Sequence, residues 1–313
     1  MLEYFTVMKQ HFLQSPAWEQ FQQEQGQTTA RITSKNAETL TILRHTALGD
    51  YLFAPYGPTL QQKSDLETAL KDLKTAARAK NAIFVRIEPT LPFTDAEMRK
   101  FSLKKTHDIE PRHTWVLDLS PDEDTLLAGM ESRKVRYYRN YAKKGMTIRA
   151  SHDPADMEIL FKHLTEVSQN DNFQTFDEAY LTAQLKHEFA TLYIVEFEGE
   201  PIASALTYDT ADTCYYAHTG ADYAHRKLNA GIILLIHMIL EAKRHGRKKF
   251  DFWGVTTSED PSHPWYGFTK FKKSFGGELV TYAGTWDLVL KPLHYRAYQL
   301  LRPLNKLRRK LRH

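Results

Sequence analysis

The sequence predicts an α/β protein made of two similar units, each a mixed sheet flanked by helices. Three observations carry that expectation. The chain has 313 residues, room for two domains of ordinary size. Its 42% hydrophobic and 26% charged residues are those of a chain with a core, not of a disordered one. Hairpin strands, a helix and a buried strand occur in that order twice, with no Gly/Ser linker or low-complexity stretch.

In the first half, Ser15 and Pro16 read as an N-cap and N1 proline opening a helix that carries Trp18 and Phe21. Strands are expected near 28–33, 39–45 and 51–54, before the turn Tyr56-Gly57-Pro58. Ser64 to Glu67 has capping-box spacing and opens a helix through about Lys80; Ile83–Glu88 is then a strand stopped by Pro89. In the second half, Ser120-Pro121-Asp122-Glu123 reads as another capping box, leading into the basic stretch Arg133–Lys144 and Gly145. Helices near 154–170 and 177–189 precede strands at 191–197, 201–208 and 213–219, joined by Glu198–Glu200 and Asp209–Asp212 turns. An apolar helix over 229–245 ends at Gly246, and the strand Lys249–Trp253 follows.

Composition narrows the chemistry. Fourteen histidines form no HExxH or HxH, and one cysteine makes a zinc-type cluster impossible, so no metal is expected. Cys214, in a strand with no resolving partner, reads as a buried structural thiol, and a lone cysteine suits the cytosol. Residues 1–10 contain no apolar run of signal-peptide length. The run Ile232–Leu240, interrupted by His237, is about half of what a membrane span needs. The +4 net charge belongs to the end of the chain: 302–313 holds six cations and no acid, leaving 36 basic against 38 acidic residues elsewhere.

Lys272 sits where a lysine is unexpected. Trp265–Phe275 reads as a short helix closed by Gly276-Gly277. Stepping 100° per residue from Phe268 puts Phe271, Phe275 and Trp265 within about 60° of it, and Lys272 at about 40°, inside the aromatic stripe. Lys270 and Lys273 fall on the far side. Such a lysine snorkels at the stripe's edge, pairs with an acid, or faces a cavity that uses its charge. Asp251, between Phe250 and Phe252, faces opposite to both; it is either a structural acid at a strand end or part of the same site. Strand, loop 258–264 and cation-bearing helix together suit an oxyanion. A coenzyme A cradle, [Q/R]-x-x-G-x-[G/A] at a helix start, is met by Arg226-Lys-Leu-Asn229-Ala-Gly231, but Asn229 replaces the glycine that lets phosphate approach.

These residues resemble the Fem-type (FemABX) nonribosomal peptidyl transferases along nearly the whole chain. Gln14-Ser-Pro-Ala-Trp-Glu-Gln-Phe21, Tyr51-Leu-Phe-Ala-Pro-Tyr-Gly-Pro58 and Phe84-Val-Arg-Ile-Glu-Pro89 look like first-domain signatures. Thr114-Trp-Val-Leu-Asp-Leu-Ser120 and the run Arg133–Lys144 look like the opening of the second. The most specific block is Phe250-Asp-Phe-Trp-Gly-Val255, Phe271-Lys-Lys-Ser-Phe-Gly-Gly277 and Tyr282-Ala-Gly-Thr-Trp-Asp287. The resemblance implies two tandem N-acetyltransferase-like (GNAT-like) domains, residues 1–113 plus 282–313 and residues 114–281, in the compact form without a helical arm. It implies an acyltransferase that moves an amino acid from aminoacyl-tRNA to an amine of a peptidoglycan precursor stem peptide, with no cofactor.

Lys272 aligns with the family's lysine thought to stabilise the tetrahedral oxyanion; Asp251 is the candidate for assisting proton loss from the amine. Trp18, Tyr56, Tyr215, Tyr216 and Phe271 are candidate substrate contacts. Arg133, Lys134, Arg136 and Arg139, with tyrosines interleaved, are candidate tRNA phosphate contacts. Two departures stand out. Trp18 is followed by Glu19-Gln20 where compact members carry a lysine, and Asn172–Phe176 offers no counterpart of an arginine that grips a nucleotide diphosphate. Losing two phosphate partners favours a lipid-linked acceptor over a nucleotide-linked one. Leu300, Leu301, Leu304, Leu307 and Leu311 beside the terminal cations read as a basic interfacial helix, kinked or started by Pro303, as a solvated C-terminal helix, or as a tRNA contact; the first of these would give a cytoplasmic protein peripheral membrane contact through 300–313. An acyl-coenzyme A N-acyltransferase and a noncatalytic RNA- or membrane-binding module are the alternatives.

Overall fold

The computed structural model describes residues 10–171 and 177–310, apart from the side chains of 167–171 and 303–310. The chain divides into two compact units: Met1–Arg112 with Thr281–His313, and His113–Val280. The first runs α1 (Pro16–Glu24), β1 (Thr29–Ser34), β2 (Ala37–Arg44), β3 (Tyr51–Ala54), β4 (Thr59–Leu60), α2 (Leu66–Ala79), β5 (Phe84–Ile87), α3 (Asp95–Lys100) and β6 (Lys104–Lys105). The second runs β7 (His113–Asp118), α4 (Glu123–Ala128), α5 (Ser132–Arg139), β8 (Met146–Ser151), α6 (Met157–Asp171), α7 (Glu178–Leu185), β9 (Ala190–Phe197), β10 (Glu200–Asp209), β11 (Thr213–Ala221), α8 (Ala230–Arg244), β12 (Lys249–Gly254), α9 (Tyr266–Lys273) and β13 (Glu278–Thr281). The chain then returns to the first unit with β14 (Trp286–Val289) and α10 (Pro292–Lys310).

Local chemistry sets several of these boundaries. Ser15 caps α1 by accepting the Trp18 amide at 3.1 Å, with Pro16 at its first turn. Neither expected capping box forms at its expected residues. Gln62 and Asp65, not Ser64 and Glu67, form the box, and a 3-10 turn over Lys63–Asp65 leads into α2. Asp122 caps α4 through the Thr125 amide, because the Ser120 hydroxyl is already spent on Asp118. Strand β8, β7, β13, β14 and α3 were not foreseen, and α10 runs through position 303 where a kink or start was expected.

Among the described residues each unit has a seven-stranded sheet. The first is ordered β1-β2-β3-β5-β14-β6 with β4 on β2, and the second β13-β7-β12-β11-β10-β9-β8. Each sheet holds a parallel pair bridged by a helix: β3 with β5 across α2, and β11 with β12 across α8. The repeated order in the sequence is thus the same crossover made twice. Helix α8 is apolar nearly all round and buries Ile233, Leu234, Leu235 and Ile236 against Phe250, Phe252 and Tyr216.

In the first unit a buried ion pair fastens the returning segment. Arg86 donates from Nε and Nη2 to the two oxygens of Asp287, each at 2.8 Å, and the side chains are 2% and 0% exposed. Tyr295 on α10 donates to the same carboxylate at 2.8 Å, and the guanidinium lies over the rings of Phe84 and Tyr51. This bidentate fork joins residues 201 apart in sequence, so loss of one partner, which would strand a buried charge, costs about 3–5 kcal/mol.

Candidate functional site

The ladder between β11 and β12 stops at Tyr215 opposite Asp251, although β11 continues to Ala221. Parallel strands that part at their carboxyl ends leave an opening beside the last paired residues. On the other side of β12, Asp251 sits opposite Val116 and Gly254 opposite Thr114, so β12 carries one extra residue. The bulge places Trp253 at φ 62°, a conformation that a bulky side chain seldom adopts. Asp251 Oδ1 holds it, accepting the Trp253 amide at 2.7 Å and a short hydrogen bond from the Thr114 hydroxyl.

Helix α9 brings Lys272 to the bulge. Its Nζ donates to the Gly254 carbonyl at 2.7 Å and lies 5.1 Å from the Phe268 ring, while Lys270 and Lys273 are exposed. The helix ends tightly: Gly277 has φ 94°, and a Cβ there would meet the Val116 carbonyl oxygen at 2.5 Å. Burial pushes the Lys272 ammonium down to about 8, against a smaller raising effect of Asp251. Burial pushes Asp251 up to about 6, opposed by the Thr114 and Trp253 hydrogen bonds and then by Lys272 and Lys249. The pair therefore presents a desolvated cation held by one carbonyl, with an acid nearby in its field.

Helix α5 supports α9. The Glu131 amide donates to Ser274 O at 3.0 Å, and Lys134, 8% exposed, pairs with Glu131 and sits over the rings of Phe275 and Phe271. Lys134 is thus turned inward, away from the exposed Arg133, Arg136 and Arg139 with which the sequence had grouped it. Arg136 and Arg139, with Asn140 and Ser132, line a groove of about 360 Å³ floored by Leu127, Met130 and Val135.

The aromatic candidates separate by face. Tyr215 packs edge-on against Trp253, on the side of Asp251, whereas Tyr216 points into the α8 core beside Phe250. Alternation along one strand forbids the two neighbours from sharing a face, which corrects their grouping. Phe271 packs edge-on against Phe275 with Lys134 over its ring, and the ring beside the Lys272 ammonium is that of Phe268. Trp18 lies between Phe12 and Phe21 in the first unit's interior. Tyr56, at φ 49°, donates to Pro111 O at 3.0 Å and packs on His11 and Tyr282. The segment 172–176 lies outside the described residues.

One buried acid was not singled out by the sequence. Glu88, just beyond β5, is 3% exposed and accepts the Ile109 and Glu110 amides and the Thr285 hydroxyl on Oε1, while Oε2 is buried with no hydrogen-bond partner. Burial pushes it to about 7. Its place just past the carboxyl end of the other parallel pair, as Asp251 stands at the end of its own, was the available signal. Asn229 does stand at the β11-to-α8 junction, at φ 59°, where asparagine replaces glycine at modest cost. Among the described residues no group of His, Cys, Asp and Glu is arranged to hold a metal ion, and no helix is long and apolar enough to cross a membrane.

A family model described as the FemAB family matches residues 3–107 and 173–303. The lipid II:glycine glycyltransferase of Staphylococcus aureus strain MSSA476 is 21% identical over 323 residues, 77% of each chain. That of Staphylococcus saprophyticus is 27% identical over 149 residues, 48% of this chain and 35% of the relative. A crystal structure of FemX superposes with a TM-score of 0.82 at 18% identity, covering 93% of this chain and 94% of that one. A tandem GNAT protein from the clavulanic acid biosynthesis pathway gives 0.51 at 13% identity and 83% coverage of both. The two mixed sheets thus have the tandem GNAT-like fold.

The depressed Lys272 carries a pH signature. Between about 8 and the usual lysine value of 10.5, the unfolded chain binds this proton more tightly than the folded one, so stability attributable to Lys272 rises with pH there. Lys272→Met removes the desolvated cation; it should be at least as stable as wild type at pH 7, with the difference shrinking from pH 8 to 10. Urea midpoints across that range check this, and parallel curves would mean an ammonium as well hydrated as a surface lysine.

Proposed function

Because this chain belongs to the FemAB family, we propose that it transfers an aminoacyl group from aminoacyl-tRNA to an amine of a peptidoglycan precursor stem peptide. The lipid-linked precursor is the favoured acceptor: curated relatives are named for glycyl transfer to lipid II, and this chain lacks the first-domain lysine after Trp18. The observation that carries the reading is the Lys272 ammonium at the mouth of the parted strands, tethered to Gly254 O by one of its three N–H groups.

The donor ester is already activated, so aminolysis runs downhill without ATP. The amine nitrogen adds to the ester carbonyl carbon and the π pair moves onto oxygen. The tetrahedral species then collapses, the bond to the ribose oxygen breaks, and the proton shed by the amine ends on that leaving oxygen. Charge on the carbonyl oxygen is what the site must stabilise. Lys272 supplies that stabilisation, with the Phe268 ring beside its ammonium and Lys134 over the ring of Phe271. The exposed Arg133, Arg136 and Arg139 of α5 meet donor phosphates. Tyr56 is the acceptor contact this reading assigns to the first unit.

Helix α10 gives the protein a peripheral membrane contact on the cytoplasmic side. Leu293 and Leu300, 76% and 75% exposed, lie seven residues apart on one face, next to a segment with six cations. The full chain should sediment with anionic phospholipid vesicles and not with neutral ones, and Leu293→Glu with Leu300→Glu should release it. Equal sedimentation of wild type and variant would refute the contact.

The transfer itself is tested with radiolabelled aminoacyl-tRNA and both muropeptide acceptors. Wild type should label the lipid-linked acceptor faster, Lys272→Met should lose about 10²–10³ in kcat, and Arg136→Ala with Arg139→Ala should raise KM for the donor. No transfer to either acceptor, or transfer from an acyl-coenzyme A instead, would overturn the reading; equal turnover of the two acceptors would remove the lipid preference.

A further inference from the structure

Asp251 has a geometry that a plain strand-end acid does not need. Its carboxyl is 4% exposed, and Oδ1 is already engaged by two donors from different elements, the Thr114 hydroxyl of β7 and the Trp253 amide of the bulge. Through Oδ1 this carboxylate closes a three-residue loop. With the Trp253 amide pinned, the backbone reverses at φ 62° and Gly254 arrives opposite Thr114, its carbonyl available to Lys272 at 2.7 Å. A cation tethered to a neutral carbonyl gains no full charge partner from it. Within the described residues Asp251 and Lys272 form no direct ion pair, yet each lies in the other's field. The other groups facing the carboxyl are Lys249 on its own strand, Thr114 from β7 and Tyr215 across the ladder from β11.

We propose that Asp251 is a positioning residue for aminoacyl transfer: it holds the bulge that aims Gly254 O at Lys272, and its negative charge keeps that lysine a cation in a desolvated place. This rests on Lys272 being the residue that stabilises the transferring carbonyl. The directions of the two titrations agree with it. Lys272, brought down to about 8 by burial, is raised by Asp251, and Asp251, brought up to about 6, is lowered by Lys272, so at neutral pH the opposite charges coexist. Without the carboxylate the lysine would lose charge in the range where it is needed.

The two parts of the role separate in two variants. Asp251→Asn keeps an acceptor for Thr114 and Trp253 and removes the charge; Asp251→Ala removes both. Protein labelled with [ε-13C]lysine reports Lys272 directly, its resonance assigned by its disappearance in Lys272→Arg. The midpoint of Lys272 should fall by about one pH unit in Asp251→Asn, and the alkaline fall of kcat should move to lower pH by the same amount with little change in KM. Asp251→Ala should lose about 10²-fold in kcat at pH 6.5, most of which Asp251→Asn restores. An unmoved Lys272 midpoint in Asp251→Asn would overturn the proposal. So would an Asp251→Asn variant as inactive as Asp251→Ala at every pH, the result expected of a general base. If wild type transferred nothing while the Lys272 midpoint still moved, the coupling would stand and the donor assignment would fall.

Discussion

Two hydrogen bonds to a single buried carboxylate oxygen organise the second unit's opening. Asp251 Oδ1 draws in the Thr114 hydroxyl and the Trp253 amide, and the backbone between them takes a left-handed residue that the sheet alone would reject. The local strain is offset by a charge-assisted amide bond in a dry place. Its product is directional: the Gly254 carbonyl leaves the ladder and tethers the ammonium of Lys272. Helix α9 is held at the right depth from below, by Ser274 O on the Glu131 amide and by Lys134 under Phe271 and Phe275. A lysine on a short helix is ordinarily loose. This one is fixed at its head by the Gly254 carbonyl, on a helix that is itself held.

The first unit builds the same device with different parts. Its parallel pair also ends in a buried acid, Glu88, which gathers two loop amides and a threonine hydroxyl from β14's approach. The difference lies in what is unmatched. Asp251 is answered by a lysine's field, whereas Glu88 keeps a buried oxygen without a donor. A duplicated fold thus carries a buried acid at the same place in each copy, with a lysine in its field in one of them.

Much of this was legible in the sequence because it is local. The aromatic stripe that includes Lys272 is a 3.6-residue pattern, and α2, α8, β5 and β12 announce themselves by apolar runs between turn residues. What escaped depends on distant partners. Strand β14 exists because β5 and β6 pair with it across most of the chain, and β7 because it fits between β12 and β13. The capping boxes were misplaced because Ser120 bonds backward to Asp118 and Asp122 then takes the helix, a competition that spacing does not reveal. Lys134 reads as one of a basic run, and only the third dimension turns it toward Phe275. The opposed faces of Tyr215 and Tyr216, by contrast, followed from strand alternation and were available from the start.

The account turns on Lys272 binding the tetrahedral species more strongly than the planar ester. The direct measurement is the affinity of two donor mimics for wild type and Lys272→Met: a 3′-terminal nucleotide bearing a tetrahedral phosphonate at the acyl carbon, and its planar amide counterpart. The phosphonate should lose about 10²–10³ in affinity on substitution and the amide less than about tenfold. Equal losses for both mimics, or none for the phosphonate, would contradict the role assigned to Lys272.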